Sequence, residues 1–226
     1  MKPLLVFDMD GVLADVTDSY REAIVQTVKH FTGQEVSRDK IQDYKNQGGW
    51  NNDWELSQKI CADMGTVVDL DTVIDVFNGL FLGRGDEDGL IHRERWIAEP
   101  GLLQRLSQRF TLALFTGRHD FEVAPTLFRY AEDVTFDPIV TANKVDHLKP
   151  SPEGLQKIQA AHPGADIWYV GDSIDDASSA AAAGVKFIGI AEAGKPRYAE
   201  AKAVLEANGA VAVLDSINQL ETVLPA

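Results

Sequence analysis

Cysteine is almost absent. Cys61 is the single one among 226 residues, so no disulfide can close within the chain. That composition suits a reducing compartment, and the cytoplasm is the expected location. Cys61 itself reads as a small buried hydrophobe on a helix. Long apolar runs are missing too. Nothing approaches the roughly 20 residues of a membrane span. The first apolar run is short and ends at Asp8, so no leader peptide is expected. Positive charge is scarce: 21 Lys and Arg stand against 35 Asp and Glu, a formal net charge of −14. Such a chain repels nucleic acid phosphates and anionic membrane surfaces, so neither is an expected partner. An anionic substrate needs a local cluster of cation, metal and backbone N–H groups. No Gly-x-Gly-x-x-Gly follows the first apolar run, which argues against a dinucleotide site. There is no internal repeat, and only residues 180–183 are locally Ala-rich.

What the chain does have is a dense motif near its start, Leu4-Leu5-Val6-Phe7-Asp8-Met9-Asp10-Gly11-Val12-Leu13. Four apolar residues in a row predict a short buried strand. At strand spacing, Asp8 and Asp10 share one face. Like charges that close are costly without a positive partner. A hard divalent cation such as Mg²⁺ suits carboxylate and carbonyl oxygens. Gly11 allows a sharp turn or close approach to a ligand. An EF-hand loop is ruled out, because Val12 occupies its third ligand position and no Glu closes the loop. A plain strand-ending turn stays open on these residues alone.

Residues 15–96 read as helical. Tyr20, Ala23, Ile24, Val28 and Phe31 recur at helix spacing before Gly33. Ser37 heads a short segment with Ile41 and Tyr44. Asn52 or Asp53 can cap a helix carrying Leu56, Ile60, Cys61 and Met64, and Asp71 a helix carrying Val73 to Phe81. From Pro100 onward strands and helices alternate. Strands are predicted at 111–115, 138–140, 167–170, 186–190 and 211–214. Helices are predicted at 125–130, 152–161, 175–183, 196–207 and 216–223. The expected fold is α/β: a Rossmann-like parallel sheet with helices on both faces, plus an all-helical insertion. The predicted division is 1–14 with 97–226 as core and 15–96 as insertion. In such sheets ligands bind at the carboxyl ends of the strands. An insertion beside a strand end can act as a lid.

The strand ends carry chemistry. Thr116-Gly117-Arg118 brings a hydroxyl, a bare backbone and a guanidinium, which suits a phosphoryl group. An N-capping Thr is the alternative. Lys149 precedes a helix and could neutralise a carboxylate or phosphate; a solvated surface lysine is the alternative. In Gly171-Asp172-Ser173-Ile174-Asp175-Asp176, Asp172 is best placed to join Asp8 and Asp10 around a cation. Asp176 falls one helical turn on and can face the same way, whereas Asp175 is expected to face solvent or cap the helix.

These four motifs, in this order, resemble those of the haloacid dehalogenase superfamily of phosphotransferases, and the insertion resembles its helical cap. The resemblance implies that Asp8 attacks phosphorus and becomes an aspartyl phosphate. Asp10 then protonates the leaving oxygen and activates the hydrolytic water. It implies Mg²⁺ held by Asp8, the Asp10 carbonyl and Asp172, with Asp176 behind them. Thr116 and Lys149 would bind the transferring group. The expected phosphate- and substrate-binding set is Gly11, Gly117, Arg118 and Ser173, with Trp50, Asn51 and Asn52 from the insertion loop. Because Asp10 is present, dehalogenation and phosphonate cleavage are disfavoured within that superfamily. The expected function is hydrolysis of a small phosphorylated metabolite. The alternatives are a sugar phosphomutase and, from another class, a non-catalytic phospho-receiver. The Gly-Gly-Trp-Asn-Asn-Asp-Trp loop with Thr-Gly-Arg further resembles a branch associated with histidine-pathway or phosphoglycolate phosphatases. Both a monomer and a homodimer are compatible with the sequence.

Overall fold

The computed structural model describes residues 2–50, 52–84, 88–195 and 197–225. The apolar run at the start forms β1 (Leu4–Phe7), buried along its whole length. A two-residue strand, β2 (Ala14–Asp15), follows a tight turn in which Gly11 N–H donates to the Ala14 carbonyl at 2.9 Å. Next come α1 (Tyr20–Thr32), α2 (Arg38–Lys45), α3 (Asp53–Asp63) and α4 (Leu70–Leu82), and then β3 (Arg95–Trp96), which pairs with β2. The remaining elements alternate: α5 (Leu102–Arg109), β4 (Thr111–Phe115), α6 (Asp120–Tyr130), β5 (Ile139–Val140), α7 (Glu153–Ala161), β6 (Ile167–Gly171), α8 (Ile174–Ala183), β7 (Lys186–Ile190), α9 (Tyr198–Ala207) and β8 (Ala212–Leu214). Residues 217–222 close the chain as a 3₁₀ helix rather than the α-helix the pattern predicts.

By contact density the chain divides into two units, Met1–Ala14 with Trp96–Ala226, and Asp15–Arg95. The first holds a six-stranded sheet in the order β5-β4-β1-β6-β7-β8, parallel at every pairing. The run of strands reverses direction about β1, which lies between β4 and β6. The carboxyl ends of these three strands therefore open side by side, the place where ligands sit in open α/β sheets. Alternation splits the strand residues between two faces. Leu4, Val6, Ala113, Phe115, Ile167 and Tyr169 share one core with Leu155 and Ile158 of α7, Ala177 and Ala180 of α8, and Leu205 of α9. Leu5, Phe7, Leu112, Leu114 and Val170 alternate with them and are buried as well, so both faces of the sheet are covered. This is the α/β architecture the alternating pattern predicts.

The helical unit has its own core, built from Tyr20, Ile24 and Val28 of α1, Ile41 of α2, Leu56, Ile60 and Cys61 of α3, and Phe77 and Phe81 of α4. Tyr20 and Phe81 rings lie 4.0 Å apart between centroids. Cys61 is buried there, as its helix spacing implied. Gly33 ends α1 in the left-handed conformation, and Ser37 Oγ accepts from Lys40 N–H at the start of α2. Three local expectations need correction. α4 is capped by Asp69, whose carboxylate accepts from Thr72 N–H at 2.9 Å, not by Asp71. α6 starts at Asp120, not at Pro125. A capping box, with Glu122 Oε2 accepting from His119 N–H at 2.7 Å, sets its start, and Pro125 lies inside it. Strands β2 and β3 were not foreseen, because two residues are too few to show a period.

Gly154 tests how tightly the sheet and α7 pack. Glycine inside a helix normally costs about 1 kcal/mol relative to alanine. Here a Cβ would lie 2.1 Å from the buried Phe115 ring. Gly154→Ala is therefore expected to destabilise the protein by about 1–3 kcal/mol despite its better helix propensity. Urea denaturation of the two proteins checks this; a stabilised variant would contradict it.

Candidate active site

The site grows from where β1 ends. Asp8 is the first residue beyond the strand, and its N–H is held by the Val170 carbonyl of β6 at 2.8 Å. That anchor fixes its carboxylate at the sheet's carboxyl edge, where it is only 6% exposed. Lys149 reaches the same point from the turn before α7 and is buried too. Its ammonium donates to Asp8 Oδ1 at 2.9 Å, to Asp176 Oδ1 at 2.7 Å and to the Tyr169 hydroxyl at 3.1 Å. An ammonium has three N–H bonds, so these partners use them all.

Asp176 sits in the first turn of α8 and is fully buried. Oδ1 accepts from Lys149 and, at 2.5 Å, from the Tyr169 hydroxyl. Oδ2 accepts from Asp172 N–H at 3.2 Å, Ser173 N–H at 3.1 Å and Ser173 Oγ–H at 2.6 Å. Asp176 thus ties the end of β6 to the start of α8, with Ser173 as the helix cap. Gly171 makes this possible, since a Cβ there would fall 2.5 Å from the Asp176 Cβ. Carboxylate oxygens of Asp8, Asp172 and Asp176 lie within 4.8 Å of one another. Gly11, at φ +73°, lets the turn after β1 come up against Asp172; a Cβ there would lie 1.9 Å from its Oδ2.

The electrostatics follow from this crowding. Burial pushes the Asp8 carboxyl well above the usual carboxylate range; Lys149 opposes the shift, and Asp176, Asp10 and Asp172 add to it. Burial acts on Asp176 in the same sense, but Lys149 and the hydrogen bonds from Ser173 and Tyr169 outweigh it and hold Asp176 below its ordinary value. Burial alone would depress Lys149, yet the carboxylates of Asp176 and Asp8 leave it raised. Burial and Asp176 together raise the Tyr169 phenol well above its ordinary value. One ammonium is therefore set among three carboxylates. All the donor atoms are hard oxygens, and the three carboxylates converge within 4.8 Å. The set fits a divalent cation.

The remaining expected site residues are distributed as follows. Thr116 is buried just beyond β4, with Oγ1 accepting from Arg118 N–H at 3.2 Å. Gly117 forms the half-buried bend between them. Though its charge is felt by Asp8, Asp10 is not one of the three clustered carboxylates. Its Oδ1 is held by Arg118, from Nε at 2.7 Å and Nη2 at 2.6 Å. Arg118 was expected to contact substrate; its side chain is 1% exposed and turns inward to Asp10 and to Thr126 Oγ1 at 3.0 Å. Ser173 likewise is committed to Asp176 rather than open to a ligand. Asp175, expected to face solvent or cap the helix, is buried, and Ser173 is the cap. In the helical unit, Asn52 is the N-cap of α3, accepting from Trp54 and Glu55 N–H at 3.0 and 3.2 Å, so its carbonyl oxygen already has partners. Trp50 is half-buried and packs edge-on against Tyr44. Asn51 lies outside the described residues.

Sequence reasoning missed Tyr169 and Thr126. Tyr169 had a readable signal: a phenol in the aliphatic strand Ile167-Trp168-Tyr169-Val170 must find a polar partner once buried. Thr126, one polar residue on a helix, had none.

A family model of haloacid dehalogenase-like hydrolases matches residues 3–184, and the chain belongs to that family. An imidazoleglycerol-phosphate dehydratase of Phytophthora nicotianae is 32% identical over 198 residues, which is 82% of this chain and 42% of that protein. The chain thus spans less than half the length of that relative. A phosphoglycolate phosphatase of Pseudomonas fluorescens is 25% identical over 194 residues, covering 83% of this chain and 68% of that one. Among solved structures, a Bacteroides fragilis protein described as a haloacid dehalogenase-like hydrolase superposes with a TM-score of 0.76 at 21% identity, over 97% of this chain and 100% of that one. At that identity the likeness is one of fold.

Two outcomes follow from the geometry. Lys149→Met leaves buried carboxylates without their counter-ion and is expected to cost about 3–5 kcal/mol, read by chemical denaturation without added metal. The second concerns pH. Because the folded state raises Asp8, its contribution to stability is full below the ordinary carboxylate value of about 3.9 and is lost as pH rises through the elevated one. The lowered Asp176 runs the other way and is lost in acid. A divalent cation competes with the Asp8 proton, so its stabilising effect should grow with pH. Thermal melts with and without Mg²⁺ should show a larger rise in Tm at about pH 8 than at about pH 5. Equal shifts at both would contradict this.

Proposed function

We propose that this chain is a Mg²⁺-dependent phosphomonoesterase acting on a small phosphorylated metabolite through an aspartyl phosphate on Asp8. The observation that carries the reading is the buried Lys149 bridge between Asp8 and Asp176 beside Asp172, at the carboxyl end of β1. The phosphatase name of the Pseudomonas relative supports the reaction class. The phosphate esters named by both relatives support a small substrate.

Asp8, Asp172 and the Asp10 carbonyl are the proposed Mg²⁺ ligands. Bound Mg²⁺ would supply positive charge beside the transferring phosphoryl oxygens. Asp8 attacks phosphorus with one carboxylate oxygen while Lys149 holds the other. A carboxylate nucleophile divides a slow hydrolysis into two faster displacements. The Thr116 hydroxyl and the backbone N–H groups of the turn after β1 offer donors, and the Lys149 ammonium offers positive charge, to a transition state that spreads negative charge. Asp10 gives a proton to the departing alkoxide and then takes one from the water that attacks the phosphoryl group on Asp8. Asp176 acts from behind, holding Lys149 and the start of α8. The helical unit, Asp15–Arg95, is the proposed cap that selects the substrate and excludes water during transfer. With its acidic charge and single buried cysteine, the protein is proposed to work in the cytoplasm, on metabolites rather than nucleic acid.

Phosphate release from a panel of phosphoglycolate, histidinol phosphate, sugar phosphates and nucleotides, with and without Mg²⁺, tests the reading. Metal-dependent turnover of at least one compound is expected, falling on the order of 10⁴-fold or more in Asp8→Asn. Transfer of phosphate between positions of a sugar would identify a mutase. A stable phosphoprotein without turnover would identify a receiver. Release that survives in Asp8→Asn would remove Asp8 as the nucleophile.

A further inference from the structure

Arg118 is the least expected member of the site. A guanidinium beside a phosphate-handling strand end ordinarily suggests an anion contact, but this one is turned away. Its side chain is 1% exposed, whereas that of Asp10 is 34% exposed. Nε and Nη2 both converge on Asp10 Oδ1, at 2.7 and 2.6 Å. Nη1 is placed by the buried Thr126 hydroxyl of α6, and the backbone N–H by Thr116 Oγ1. The fork is therefore fixed from two sides before it meets the carboxylate. Two donors converging on one oxygen hold that oxygen in place. They leave Oδ2 as the oxygen available for proton exchange.

From this geometry we propose that Arg118 is a positioning residue. It holds the Asp10 carboxyl in a single rotamer with Oδ2 directed to the leaving oxygen. The proposal rests on the phosphatase reading, in which Asp10 exchanges a proton with that oxygen. Without the grip, a partly exposed Asp side chain has several staggered rotamers open to it. Proton transfer demands hydrogen-bond reach between donor and acceptor, so only one of those rotamers is productive. The covalent balance is unchanged: the P–O bond to the leaving group breaks, the P–O bond to Asp8 forms, and the Asp10 proton goes to the departing oxygen. Arg118 neither gains nor loses a proton.

The consequence is selective. Leaving groups that depart unaided need no proton from Asp10; basic ones do. The test compares p-nitrophenyl phosphate with phenyl phosphate by kcat/KM, which reports the step in which the leaving group departs. Arg118→Met and Arg118→Lys are both expected to lose about 100-fold toward phenyl phosphate and less than a tenth of that toward p-nitrophenyl phosphate. Lysine keeps the charge but cannot place two donors on Oδ1. Thr126→Val, which removes only the hydroxyl behind Nη1, should shift the ratio in the same direction by a smaller factor, and it keeps the test open if Arg118→Met does not fold. Equal losses on both esters in folded variants would overturn the proposal, as would full activity of Arg118→Lys. Either result leaves the phosphatase reading standing. That reading fails separately if Asp8→Asn still turns over p-nitrophenyl phosphate.

Discussion

The arrangement depends on one ammonium shared by two carboxylates. Lys149 lies out of water, and so do Asp8 and Asp176. None of the three is tolerable there alone, because an unpaired buried charge costs several kcal/mol. Joined, they fix one another: Lys149 uses its three donors, Asp176 accepts at both oxygens, and the Tyr169 hydroxyl bridges the pair. The result is asymmetric. Asp176 is saturated and held ionised. Asp8 keeps one oxygen clear of Lys149 and is raised by burial and by its acidic neighbours. Identical side chains are thereby given opposite electrostatic character by position alone.

That asymmetry traces to the sheet. Reversal of the strand run about β1 sets the ends of β4, β1 and β6 next to one another. Residues from three distant stretches of chain, Thr116, Asp8 and Asp172, are then carried to one edge by parallel pairing, with Lys149 entering from the α7 side. Two glycines make the closeness possible. Gly11 clears room for Asp172, and Gly171 for Asp176. An added methyl at either position meets the Asp172 or Asp176 side chain, and at Gly11 the positive φ of the turn calls for glycine as well.

Much of this was readable in the chain. The apolar runs at β1, β4, β6 and β7 are continuous because both faces of the sheet are buried, and period and length together mark them as parallel strands. Three of the four motifs stand out because each follows such a run, whereas Lys149 stands in the turn before α7. What escaped was the direction of side chains once they arrive. Arg118 has the composition of an anion contact, but it is buried and held by Asp10 and by Thr126, eight residues on. Ser173 looked like a ligand contact and is a helix cap, and Asn52, for which the sequence offered both roles, takes the cap, since both roles use the same short polar side chains. Asp175 was read as facing solvent or capping the helix and is buried, with Ser173 as the cap. Helix starts were displaced where a weak cap hid the true one: Asp69 in place of Asp71, and the His119–Glu122 box ahead of Pro125. Local chemistry indicates which residues can act, and packing decides which face they take.

The central claim is that Asp8, isolated in its ion-paired pocket, accepts the phosphoryl group. Acid-quenching the Mg²⁺-loaded protein during turnover of p-nitrophenyl phosphate, then mapping phosphorylation by peptide mass spectrometry, tests it most directly. The account predicts an acid-stable, base-labile phosphoryl adduct on the peptide bearing Asp8, formed and lost at rates compatible with turnover. Turnover with no adduct under these conditions, or an adduct confined to another residue, would contradict it.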